Sequence, residues 1–228
     1  MYNKKTASII LPAFNEEKSI SKFIKDIKKL KVFDEIIAVN NNSTDRTKAA
    51  IQENDVSYFF EKKKGFGASL KKGLDNAKSD LIVICEPDGS FKSNDSIKLL
   101  KLSKKYDAVF TTRTNSEMNF YLKYGNKLYA KILCLLFNGP SLSDVGSSYR
   151  LFKRSDYNKF KKKLKYIGPE FQIELTINLI NQNLKIIETP VYYGKRIGRS
   201  NYTGNFYSSF KVAIRFSKVV LLKFFRII

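Results

Sequence analysis

Residues 81–91 read LIVICEPDGSF: five apolar residues, then two carboxylates, Glu86 and Asp88, set one residue apart and followed by Gly89. An unbroken apolar run of this length suits a strand buried on both faces, as in a parallel sheet covered by helices. The same pattern occurs twice upstream. Residues 8–14 (SIILPAF) lead into Asn15 and Glu16, and residues 35–39 (EIIAV) lead into Asn40, Asn41, Asn42, Ser43, Thr44 and Asp45. Between these runs, Ile20, Phe23, Ile24, Ile27 and Leu30 recur at helical spacing. Further strands are expected at 56–60 and 107–111, and helices at 65–77 and 94–105. Ser43 or Thr44 is expected to cap a helix, with Asp45 in its first turn. Strands alternating with helices predict an α/β fold, a mixed, mostly parallel sheet flanked by helices.

The second half reads differently. A long, partly apolar helix is expected over 119–137, a polar loop over 139–150, a helix over 170–181 and a strand over 184–193 broken at Pro190. Beyond residue 205 the pattern changes again. Lys211, Arg215, Lys218, Lys223 and Arg226 share one arc of a helical wheel, and Phe210, Phe216, Val220, Leu221, Phe224 and Phe225 fill most of the rest. Such a helix suits the headgroup region of a membrane or, alternatively, ordinary core packing. The expected division is therefore a catalytic domain over 1–205 and a basic amphipathic, membrane-associating tail over 206–228.

The 228 residues suffice for one sizeable domain. The net charge of +21 favours anionic partners, although the abundance of Lys, Asn and Ile is also what an AT-rich coding sequence produces. The absence of histidine excludes His-ligated zinc and Ser-His-Asp triads. Cys85 and Cys134 lie in apolar runs and read as buried thiols of a reducing compartment. The first apolar run, about five residues long, is too short for a signal peptide. No stretch approaches the roughly 20 apolar residues of a spanning helix. The expected location is cytoplasmic, peripheral on the inner face of the cell membrane.

Ligands of parallel α/β sheets bind beyond the carboxyl ends of the strands, where all three polar clusters fall. Side chains two apart on extended chain point the same way, so Glu86 and Asp88 can hold Mg²⁺ or Mn²⁺ against a diphosphate. Pro87-Asp88-Gly89 also fits a plain solvated turn. Gly65-Phe66-Gly67 is a partial phosphate-loop pattern, but Leu70 stands where a dinucleotide fingerprint requires its third glycine.

In this order the clusters resemble family 2 of the inverting glycosyltransferases, which have the Rossmann-like GT-A fold. The likeness is nearest to dolichyl- and polyprenyl-phosphate sugar transferases and covers roughly residues 7–202. PAFNE at 12–16 is similar to that family's opening motif and VNNNSTDRT at 39–47 to its base-binding loop. KGFGASLKKGLDNAKSD at 64–80 is similar to its Gly-rich helix, and EPDGSF at 86–91 takes the place of its Asp-x-Asp motif. SDVGSSYRLFKR at 143–154 and PVYYGKRIGRSN at 190–201 resemble its acceptor-side segments. The chain departs from the pattern at Asn40 and Asn41, where aspartates are common, at Glu86, and at Asn201, where lysine is usual.

The resemblance implies that Pro12, Ala13, Asn15, Glu16, Asn40, Asn42, Ser43, Asp45, Lys64, Gly65, Ala68, Glu86 and Pro87 bind the nucleotide. It implies that Asp88, with Glu86, holds the metal, and that Asp88, Asp144 and Arg150 are catalytic. Arg113, Lys123, Arg196, Arg199 and Ser200 are expected to contact an acceptor phosphate. The expected partners are a nucleotide-sugar of the GDP-mannose, UDP-glucose or UDP-N-acetylglucosamine type, polyprenyl phosphate, an anionic membrane surface, and a further copy or membrane subunit, but no nucleic acid. A phosphate acceptor is already anionic and needs no base. A saccharide or lipid alcohol would need one, and Asp144 is then the candidate. With a phosphate acceptor, Asp144 would organise its loop or touch the donor sugar. A basic binding module without catalysis is the reading from a different class.

Overall fold

The computed structural model describes residues 5–114, 120–198 and 206–226. Its seven strands are β1 (Ala7–Ala13), β2 (Glu35–Asn40), β3 (Ser57–Phe60), β4 (Leu81–Ile84), β5 (Ala108–Thr114), β6 (Arg150–Lys153) and β7 (Ile186–Tyr192). They form one sheet in the order β3-β2-β1-β4-β6-β5-β7. Every pairing is parallel except those of β6, which runs antiparallel between β4 and β5. The helices are α1 (Ile20–Leu30), α2 (Thr47–Gln52), α3 (Phe66–Asn76), α4 (Asp95–Leu102), α5 (Phe120–Leu136), α6 (Arg154–Phe160), α7 (Phe171–Ile180) and α8 (Phe206–Phe224).

Alternate residues of each strand feed two hydrophobic layers. Ile10, Ile37, Val39, Ile82, Ile84 and Phe152 pack against α3, α5, α7 and α8, whereas Ile9, Leu11, Ala38, Val83 and Leu151 pack against α1, α2 and α4. Both faces are covered, which is why the strands read as continuous apolar runs. The chain goes from β1 outward to β2 and β3 and then returns to place β4 on the other side of β1. This reversal opens a crevice at the carboxyl ends of β1, β2 and β4.

The structure corrects several boundaries. Helix α1 starts at Ile20, and α2 at Thr47, because the residues before them brace each other across the crevice. The Asn15 N–H donates to Ser43 Oγ, the Thr44 N–H to Asn15 Oδ1, and the Arg46 N–H to a Glu17 carboxylate oxygen. Ser43 and Thr44 therefore cap nothing, while Asp45 accepts from the Thr47 N–H at 2.9 Å. Strand β7 runs unbroken through Pro190, because it is an edge strand paired only with β5. Strand β6 and helix α6 were not expected from the sequence.

Helix α8 is part of the fold. Val219 and Val220 are buried in the same layer as Leu133 of α5, and Lys223 pairs with the fully buried Glu174 of α7 at 3.3 Å. Arg215 pairs with Glu170. Two cations of the expected lipid-facing arc thus satisfy carboxylates of the domain.

The entry to α3 imposes a further constraint. Gly65 has φ of +151°, and a Cβ there would run into the carbonyl oxygen of Ile167. We expect Gly65→Ala to destabilise the fold by roughly 2–3 kcal/mol, read as a lower urea midpoint at unchanged slope.

Candidate active site

A cavity of about 690 Å³ occupies the crevice. One end is walled by Pro12, Ala13, Phe14, Asn41, Lys64 and Gly65. The middle carries Glu16, Glu86, Arg113, Tyr193, Lys195 and Arg196. The far end is apolar and aromatic, formed by Tyr121 and Tyr129 of α5 and by Phe206, Phe210 and Phe216 of α8.

The first wall is rigid because its loops are tied side chain to backbone. Asn41 accepts from the Gly65 N–H at 2.8 Å and donates to the carbonyls of Glu61 and Lys63. The buried Asn40 caps the turn by accepting from the Ser43 N–H at 3.0 Å. Asn42 donates to the Lys62 carbonyl at 3.3 Å. Of the expected nucleotide residues, Pro12, Ala13, Glu16, Lys64, Gly65 and Glu86 line the cavity. Asn15, Asn40, Asn42, Ser43, Asp45, Ala68 and Pro87 do not, the Asn, Ser and Asp residues among them serving instead to shape the loops. Asn41, read as part of the polar cluster after the second strand but not among the expected nucleotide residues, lines the cavity. It sits inside a run of three asparagines, and the positive φ of Asn42 breaks the extended alternation that would have assigned its side.

Three carboxylates meet around Arg196 at the middle of the cavity: Glu16 and Glu86 line it, while Asp88 lies behind them and does not. Asp88 is 2% exposed, and its Oδ1 accepts from the Ser90 N–H at 2.9 Å and from the Ser90 hydroxyl. Its Oδ2 accepts from Arg196 Nη1 at 2.8 Å, and the same nitrogen lies 3.5 Å from Glu86 Oε2. Arg196 Nη2 pairs with Glu16. Burial raises the Glu16 carboxyl to about 7, against the pull of Arg196 and Ser19. Burial, then the neighbouring Asp88 charge, also pushes Glu86 upward, with Arg196 opposing. Arg196, expected at an acceptor phosphate, is thus engaged with the carboxylates instead.

This donor set suits a hard divalent cation. The Asp88 and Glu86 oxygens converge on one cationic nitrogen, and oxygen ligands fit Mg²⁺ or Mn²⁺. Among the described residues no group of three or more Asp, Glu or Cys side chains could hold a metal. An ion held by Asp88 and Glu86 therefore needs further ligands, such as diphosphate oxygens.

Asp144 and Arg150, both expected to be catalytic, are held by other groups of the protein. Asp144 is clamped bidentately by Arg113, Nε–Oδ2 2.7 Å and Nη2–Oδ1 2.8 Å, and also accepts from the Gly146 N–H at 3.1 Å. It does not line the cavity, whereas Arg113 does. Burial works against the Arg113 charge, but Asp144 overrides it and holds the guanidinium above its usual value. Arg150 is wholly buried, donating to the carbonyls of Val145 and Ser147 and to Thr176 Oγ1 at 2.5 Å. Burial pulls it down to about 9. Its place is beneath the 145–147 loop, stacked on the Phe110 ring. Lys123 is exposed on α5 outside the cavity. Arg199 and Ser200 lie outside the described residues. Lys195, Tyr193 and Ser148, not singled out in the sequence, face the cavity beside Arg113 and Glu86.

A family model described as Glycosyl transferase family 2 matches residues 8–161. The low-salt glycan biosynthesis hexosyltransferase Agl6 of Haloferax volcanii is 27% identical over 208 residues, 86% of this chain and 49% of that protein, so the chain spans about half its length. The uncharacterized protein MJ0544 of Methanocaldococcus jannaschii is 30% identical over 203 residues, 80% of this chain and 85% of the other. Among solved structures, glucosyl-3-phosphoglycerate synthase from Mycobacterium tuberculosis in complex with Mg²⁺ and UDP superposes with a TM-score of 0.75 at 17% identity. That match covers 97% of this chain and 80% of the synthase. The complex of the same synthase with Mn²⁺, UDP and glucosyl-3-phosphoglycerate gives 0.72 at 18% identity, with the same coverage. At these identities the likeness is one of fold.

The elevated Glu16 carboxyl has a consequence for stability. Its folded value of about 7 lies above the ordinary glutamate value of 4.5, so between these limits the folded chain binds the extra proton. Its contribution is therefore fullest at pH below about 4.5 and is lost as pH rises to about 7. The stability difference between the wild type and Glu16→Gln should fall by on the order of 2–3 kcal/mol across this window and be flat above it. Urea titrations at several pH values measure it, and a difference that ignores pH would refute the assignment.

Proposed function

The chain belongs to glycosyl transferase family 2, and from that premise we propose that it moves a sugar from a nucleotide-sugar to polyprenyl phosphate at a membrane surface, with inversion. The observation that carries this reading is the cavity itself. It joins a polar end and a middle that carries Glu16, Glu86 and Arg113 to an aromatic end formed by α5 and α8.

The nucleotide packs against Pro12–Phe14, Asn41 and the Lys64–Gly65 turn, and the diphosphate lies toward Asp88 and Glu86. Those two carboxylates would hold a Mg²⁺ or Mn²⁺ ion, which would supply charge neutralisation for the departing diphosphate. Arg113, kept charged and oriented by Asp144, presents its guanidinium to the acceptor phosphate beside Tyr193 and Lys195. A phosphate oxygen forms the new bond to the anomeric carbon as the bond to the nucleoside diphosphate breaks. No proton has to be removed. The locked state of Asp144 supports this reading over an alcohol acceptor, for which Asp144 would have to be a free base.

Two exposed apolar stripes support action at a membrane. On α5, Tyr124, Leu128 and Leu135 are exposed, and on α8, Phe210, Ile214 and Leu221, with Phe225 just past its end. Spacings of four and seven put each set on one side of its helix. Lys123, Lys127, Lys211 and Lys218 belong to the same two helices and supply attraction to anionic lipid.

Incubating the protein with Mn²⁺, polyprenyl phosphate and labelled UDP-glucose, UDP-N-acetylglucosamine or GDP-mannose should move label into the organic phase for one donor. Asp88→Ala should lower that transfer by about two orders of magnitude or more. Donor hydrolysis with no label in lipid would overturn the acceptor assignment. Deleting α8 would expose core, so the membrane reading is better tested with Leu135→Ser, Ile214→Ser and Leu221→Ser combined. These should weaken flotation with phosphatidylglycerol vesicles by about tenfold or more. Unchanged flotation would count against it.

A further inference from the structure

We propose that Arg196 is a resident counter-cation, holding the Asp88 and Glu86 carboxylates in the donor-free protein and yielding them to the divalent cation only when a nucleoside diphosphate is present. The inference rests on the metal-binding part of the function proposed above and on no particular acceptor.

The argument begins with the oxygens available. Asp88 Oδ1 is occupied by two donors from Ser90, so Oδ2 is the oxygen left for a cation. That oxygen accepts from Arg196 Nη1 at 2.8 Å, and the same nitrogen lies 3.5 Å from Glu86 Oε2. One guanidinium nitrogen thus sits against oxygens of both carboxylates that would hold an ion. That nitrogen and an ion cannot both occupy that position.

The guanidinium is also held in place from behind. The Ile197 N–H donates to the Asp88 carbonyl at 2.8 Å and the Gly194 N–H to the Ser90 carbonyl at 2.8 Å, fixing the backbone around Arg196 to the metal-motif turn. Glu16 grips the other end of the fork. Arg196 Nε, by contrast, is buried with no hydrogen-bond partner among the described residues. The present seat therefore leaves one of its donors unsatisfied, a cost that a diphosphate oxygen within reach could relieve.

A divalent ion alone would have to displace a paired guanidinium and would gain only two protein ligands. With a diphosphate present, the ion acquires phosphate oxygens and the displaced guanidinium acquires an anionic partner. Metal and donor should accordingly bind together in the wild type.

The test is Mn²⁺ binding to the full chain, followed by electron paramagnetic resonance of free Mn²⁺, with no turnover involved. Without nucleotide, Arg196→Gln should bind Mn²⁺ about tenfold or more tightly than the wild type, and UDP or GDP should enhance binding far more in the wild type than in the variant. The gain should vanish in Arg196→Gln combined with Asp88→Asn. Equal or weaker Mn²⁺ binding by Arg196→Gln would overturn the proposal, as would a gain that survives loss of Asp88. Circular dichroism checks folding. Should Arg196→Gln fail to fold, Arg196→Lys keeps the charge but cannot fork across three carboxylates. A smaller gain would uphold the idea, and wild-type affinity would overturn it. Failure of the acceptor assignment would leave these outcomes unchanged, since no acceptor enters the experiment.

Discussion

Packing a parallel sheet between helices brings chain ends together at one rim, and here that rim gathers Glu16, Glu86 and Asp88 within reach of one guanidinium. Like charges at such separation in a poorly hydrated crevice repel unless compensated. Arg196 supplies the compensation from the far end of the chain, beyond the last strand. The contact ties the β1 and β4 turns to the segment after β7. The crevice thus keeps its shape through an electrostatic requirement as well as through the sheet.

The same logic of compensation separates residues that touch the cavity from those that support it. Asp144 and Arg113 neutralise one another, yet only Arg113 faces inward. Arg150 lies deeper, donating to the carbonyls of Val145 and Ser147, the second of which it shares with Gln172. Glu188 reaches from β7 to the N–H groups of Ser143 and Asp144, holding the loop from the opposite side. This side of the site is thus a loop suspended between charged side chains.

The first half of the fold was legible because its strands are buried on both faces and its helices on one, giving two distinct periods. Residues 81–91 alone announce a buried strand and the carboxylates at its end. Strand β6 was not legible: Arg150–Lys153 has only two apolar residues, and a four-residue strand between loop and helix carries no period of its own. Pro190 misled because edge position is a property of the sheet, invisible along the chain. Residue type marked where the site lies but not which way each side chain turns. Arg150 and Arg196 are both arginines in motif segments, and only the tertiary packing sends one under a loop and the other among carboxylates. The amphipathic reading of α8 was right about composition and incomplete about use, because Arg215 and Lys223 turn inward to carboxylates of α7 and its N-terminal turn.

The cross-bracing of the 15–17 and 43–46 loops has a thermodynamic corollary. Side chains that bond to backbone across two loops leave little freedom to be lost when a ligand arrives, so affinity for a nucleotide is governed by the contacts made and not by the ordering of a loose wall. A scaffold of this sort separates shape from recognition. The bracing residues fix the contour, and the few side chains that face the cavity can be exchanged without remoulding it. Selectivity for one base over another can then drift over evolutionary time while the architecture beneath it stays still.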